Sequence, residues 1–159
     1  ALIAALTKPG SVRKATIIPR GEALGYVAPI PKELHLATAS ELLDQVKMIV
    51  AGGVAERMYL GEHSVGVGGD VQQAKQLLEQ MVDTGLLQDG FTLTFNKGEK
   101  EQKMQALFTQ AIKETESLID LNRPQYEELV EVLLKKETID GTEVQLIVDS
   151  QESKVLPFS

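Results

Sequence analysis

The chain has 159 residues, a net charge of −7, a hydrophobic fraction of 43%, two histidines and no cysteine. That length favours a single domain and suffices for a real core. The acidic balance argues against nucleic acid as a partner. The missing cysteine rules out disulfides and thiolate metal sites within the chain, and no apolar run reaches the length of a membrane helix.

Ala1-Leu2-Ile3-Ala4-Ala5-Leu6 is a helical pattern with no cap before it. It is read as the end of a helix that begins upstream, without the charged n-region of a signal peptide. Pro9-Gly10 stops it. Val12–Ile18 is predicted as a strand ending at Pro19, and Arg20-Gly21 as a turn. Ala23–Ala28 is a second extended segment, closed by Pro29-Ile30-Pro31. Prolines and glycines keep these strands short, as at a sheet edge. Such an edge is either a plain structural hairpin or a place where an extended peptide is held by added backbone bonds.

Thr38 and Glu41 have the spacing of a capping box and open a helix. Leu42, Leu43, Val46, Ile49 and Val50 form its expected buried face. Gly52-Gly53 sit inside this pattern, where a glycine pair usually lets another backbone come close. Glu56 on the same segment is read as a solvated acid or as one buried against a partner.

Ser64-Val65-Gly66-Val67-Gly68-Gly69 then runs into Asp70. Val71, Ala74, Leu77, Leu78, Met81 and Val82 recur at helical steps, so a helix is expected from Asp70 to about Thr84-Gly85. Asp70 stands at the N-cap position, where its carboxylate accepts from first-turn N–H groups. The other reading makes it a metal ligand at the end of a rigid helix. Phe91–Phe95 alternates like a short strand.

Glu99–Asp120 is predicted as a long helix with Met104, Leu107, Phe108, Ala111, Ile112, Leu118 and Ile119 on one face. It is followed after Arg123-Pro124 by a second helix with Tyr126, Leu129, Val130, Leu133 and Leu134, forming a helical hairpin. Lys135–Ile139 reads as a connector. Asp140 and Glu143 cap a last short helix, and residues from about Asp149 onward read as a tail. The expected domain is 1–148, with 149–159 as the tail. The fold class is mainly α (α+β), with a small sheet near the start. No catalytic triad or phosphate-binding loop can be assembled.

Several motifs resemble, in order, the peptidase domain of FtsH-type ATP-dependent zinc metalloproteases. They are Thr16-Ile17-Ile18-Pro19-Arg20-Gly21 with Ala23-Leu24-Gly25-Tyr26, then Glu41-Leu42-Leu43-Asp44 with Gly52-Gly53-Val54-Ala55-Glu56 and Gly61-Glu62, and last Lys136-Glu137-Thr138-Ile139-Asp140-Gly141. The resemblance covers about residues 1–148. It implies a zinc metalloendopeptidase that degrades unfolded or membrane polypeptides. Two zinc-binding histidines and a glutamate base come from an H-E-x-x-H helix in that family, and an aspartate at the start of a later helix completes the site. Asp70 matches that aspartate. The resemblance also implies that Thr16, Ile17 and Ile18 lie beside the cleft and pair with substrate. It further implies an upstream ATPase domain, a homo-hexamer, and a membrane anchor with this domain on the cytoplasmic, matrix or stromal side.

The chain departs from the family at identifiable places. H-E-x-x-H is absent and is expected just before Ala1, so no catalytic residue is assigned within the chain and the chain alone is expected to be inactive. The loop before Asp70 is Val65-Gly66-Val67-Gly68-Gly69 where the family has a run like Thr-Gly-Ala-Ser-Asn. Val54 stands where an arginine is common, and residues 86–98 match poorly. Neither His35 nor His63 matches a ligand position, and both read as surface or loop residues. These departures leave a second reading open, an inactive pseudo-protease or scaffold of the same fold. A third is a peptide-binding adaptor.

Overall fold

The computed structural model describes residues 1–17, 26–29, 38–61, 67–83 and 97–150. Ile18, His35, His63, the turn at Arg20-Gly21 and the Phe91–Phe95 segment lie outside the described residues. Among the described residues the chain is mainly helical with one small sheet. It divides into two compact units, Ala1–Lys32 with Ser117–Ser159, and Glu33–Glu116.

The first unit is built on a three-stranded sheet. Helix α1 (Leu2–Thr7) precedes strand β1 (Val12–Thr16), and β2 (Tyr26–Pro29) follows. Later in the chain come α5 (Arg123–Lys136), β3 (Thr138–Asp140) and α6 (Gly141–Asp149). The strand order is β2-β1-β3, antiparallel throughout. Thr16 lies opposite Tyr26 on one side and Thr138 on the other. The edge position expected for this strand is therefore corrected: β1 is central. The segment read as a connector supplies the third strand, with β-branched Thr138 and Ile139.

Helix α6 packs on β1, and α1 and α5 pack on α6. Gly141 makes the α6–β1 approach possible, because a Cβ there would collide with the Val12 carbonyl oxygen. Leu2 to Leu6, Val12, Ala15, Leu129, Ile139, Val144, Ile147 and Val148 form the buried apolar set. On α5 the expected face holds only in part. Leu129 is buried, but Val130 is exposed and Leu134 is 70% exposed, while Gln125 is buried instead.

The second unit pairs α2 (Ala39–Leu60) with α3 (Val67–Asp83). The Thr38 hydroxyl accepts from the Glu41 N–H at 3.1 Å, so the capping box forms as the spacing predicts. Gly61 ends α2 at φ 82°, and its N–H donates to the Arg57 carbonyl. Leu42, Leu43, Val46, Val50 and Val54 are buried, as are Ala74, Leu78, Met81 and Val82. Among the described residues nothing lies within 4 Å of where a Gly52 Cβ would stand, while Gly53 is buried.

Helix α4 (Lys97–Leu121) spans the predicted long helix, and Asn122 joins it to α5. Its Leu107 and Ala111 are buried. Lys47 of α2 is only 5% exposed. Its Nζ lies 2.7 Å from Glu114 Oε2 of α4 and 3.4 Å from Asp44 Oδ1. The Glu114 contact is an ion pair without hydrogen-bond alignment. Burial raises the Asp44 carboxyl above its ordinary value, and Lys47 opposes that shift. No helix among the described residues is long and apolar enough to cross a membrane.

Candidate functional site

Asp70 belongs to the second unit and stands in the first turn of α3. The structure moves it from the expected cap position into the helix, because α3 already begins at Val67 and takes Gly68 and Gly69 into its first turn. Without side chains, these glycines leave open space: among the described residues a Cβ on either would meet nothing within 4 Å. Asp70 is therefore flanked by an accessible stretch of helix surface.

The Asp70 carboxylate is partly buried, and among the described residues no hydrogen bond or ion pair reaches it. Burial raises its carboxyl above the ordinary value. A desolvated carboxylate without a donor favours the neutral acid unless a cation comes near. A cation approaching over the exposed Gly68 and Gly69 would meet this carboxylate. Among the described residues no group of three His, Cys, Asp or Glu could hold a metal ion. Asp70 could therefore supply one ligand, but the described residues do not complete a site.

Val71, expected on the buried face of α3, is instead exposed. With Leu78, Met104 and Phe108 it lines a groove of about 520 Å³. This groove also explains why Met104 and Phe108 are only partly buried.

Thr16 and Ile17 belong to the first unit. Thr16 is 8% exposed, and Ile17 is 39% exposed. The Thr16 hydroxyl donates to the Glu137 carbonyl at 3.0 Å and lies 2.7 Å from the Thr138 hydroxyl. A hydroxyl has one proton to give, so with Thr16 donating to Glu137, Thr138 donates to Thr16. The Ile17 N–H also donates to the Glu137 carbonyl, at 2.9 Å. Backbone pairing is thus taken on both sides of Thr16, while the Ile17 side chain stays available at the strand's end. Sequence reasoning missed Glu137 and Thr138 as partners of this segment. The available signal was the pair of β-branched residues after Glu137.

The sequence model of peptidase family M41 matches residues 1–102. The chain is 36% identical to ATP-dependent zinc metalloprotease FtsH 2 of Symbiobacterium thermophilum, with 94% of this chain and 28% of that protein covered. It is 30% identical to ATP-dependent zinc metalloprotease FtsH of Leptotrichia buccalis, covering 92% of this chain and 22% of that protein. For the FtsH of Bacillus subtilis the identity is 28%, covering 91% and 26%. The chain spans about a quarter of the length of these relatives. Both the β1 segment and the Asp70 helix fall inside the matched residues, and the chain belongs to peptidase family M41.

Proposed function

We propose that this chain is the peptidase portion of an FtsH-like, ATP-dependent zinc metalloendopeptidase that degrades unfolded or membrane polypeptides. Asp70 is its zinc ligand, with two histidines and a glutamate base supplied by residues outside this chain. The observation that carries this reading is the Asp70 carboxylate, partly desolvated, without a donor among the described residues, and open on its glycine side. Zinc, when bound, supplies Lewis-acid activation of water and of the scissile carbonyl.

The chain's own residues have simpler tasks. Asp70 holds its negative charge at the start of a helix whose buried face fixes its position. Thr16 anchors the end of β1, and Ile17 offers an apolar side chain to a substrate residue. Ile18 belongs to the same proposed segment, outside the described residues. In the described sheet the unpaired backbone lies on the outer edges of β2 and β3 and not on β1. Strand addition would therefore occur at one of those edges, with Ile17 as a side-chain contact. An upstream ATPase domain, a hexameric ring and a membrane anchor complete the proposed machine, with this domain on the cytoplasmic, matrix or stromal side.

The test is the zinc content of the complete gene product beside its Asp70→Ala variant. About one zinc per chain is expected in the parent, weakened at least tenfold or lost in the variant. A parent without zinc would make the protein a scaffold of this fold, and Asp70 an ordinary first-turn acid.

A further inference from the structure

Glu137 is the one non-glycine residue with positive φ among the described residues, at φ 65° and ψ −37°. Such a conformation is strained for a residue with a side chain, and glycine would adopt it freely. Strain of this kind persists only where surrounding bonds impose it, and it gathers at functional sites. Here the Glu137 N–H caps α5 by donating to the Leu133 carbonyl at 2.8 Å. Its carbonyl is turned toward β1, where it accepts from both the Thr16 hydroxyl and the Ile17 N–H. The Thr138 hydroxyl adds a further bond to Thr16.

These bonds meet at the end of β1, where among the described residues its register with β2 and with β3 ends at Thr16. The Ile17 N–H bond carries the β3 side one residue further, to a residue whose side chain is half-exposed. We propose that Glu137, assisted by Thr138, is a positioning residue that fixes the end of β1, so that the exposed Ile17 side chain is held in place to contact an extended polypeptide. The inference rests on the peptidase reading above. A segment ordered in advance loses less freedom on binding, so the effect belongs to substrate affinity and not to the chemical step.

The test uses the complete gene product with ATP, zinc and a quenched fluorescent peptide of apolar, extended sequence. Thr138→Val removes the donor to Thr16, and KM is expected to rise about fivefold with kcat within about twofold of the parent; Thr138→Ser restores it. Glu137→Gly adopts the same turn without strain, so it leaves KM near the parent's while the thermal midpoint holds or rises. If Thr138→Val loses kcat together with the thermal midpoint, the turn is merely structural and the inference is overturned. An unmoved KM for Thr138→Val in an active, zinc-dependent enzyme also overturns it and leaves the peptidase reading standing. A parent that holds zinc yet neither binds nor cleaves the peptide overturns both.

Discussion

Two charged side chains show how far residue identity alone carries. Asp70 keeps its place near the start of α3, but two glycines taken into the first turn change its role. An N-cap carboxylate would spend its lone pairs on backbone N–H groups. The observed Asp70 has no such bond among the described residues, which leaves its charge available to a cation. Lys47 is the opposite case, a residue with no motif that is nearly enclosed and held by Asp44 and Glu114. Both carboxylates are about one-third exposed or less, so the loss of their shared cation is felt. Lys47→Met is expected to destabilise the protein by about 2 kcal/mol at neutral pH. The sign of its pH dependence follows from Asp44, whose carboxyl burial raises and Lys47 lowers. Without Lys47 the folded-state pKa rises further, so the variant gains stability relative to the parent as pH falls through that value. Denaturant unfolding of both proteins at about pH 7 and about pH 4 checks this, and a constant difference would contradict it.

At the scale of the element, the start of a helix is a local matter. The Thr38–Glu41 and Asp140–Glu143 pairs form as their spacing predicts, with the Glu143 N–H donating to Asp140 Oδ1 at 2.8 Å. Each such cap contributes about 1 kcal/mol. Which face an element buries is less local. Val130 and Leu134 fit a helical stripe on α5 yet face outward, since α5 packs on α6, β3 and α1 through its other side. The seat of α6 depends on one missing methyl group. Gly141→Ala would place a Cβ inside the Val12 carbonyl, and backbone cannot move aside as a flexible side chain does. We expect a loss of about 3 kcal/mol or more, visible as a lowered thermal midpoint. A variant melting with the parent would show that β1 and α6 separate easily.

Across the whole molecule, each of the two units has its own buried apolar set. In the proposed enzyme zinc is expected to serve chemistry more than folding, because each unit has an apolar core, unlike small domains that fold only around their metal. Chelation of zinc from the complete gene product is expected to abolish peptide cleavage while leaving helical circular dichroism unchanged. Loss of helix on chelation would show that the metal also holds the fold. The chain covers only about a quarter of its relatives' length.

By itself the sequence determined the mainly helical class, the Thr38 and Asp140 caps, the family and the presence of the Asp70 helix. These rest on spacings of three or four residues, or on motifs kept in order, and neither needs the chain to fold back on itself. Only the tertiary structure decided that β1 is central, that Lys47 is enclosed and that Glu137 grips the end of β1. Thr16 meets Glu137 and Thr138 across 121 and 122 residues of chain. A three-residue strand carries too little pattern to announce such a partner, so the pairing emerges only when α5 and α6 bring Thr138–Asp140 alongside.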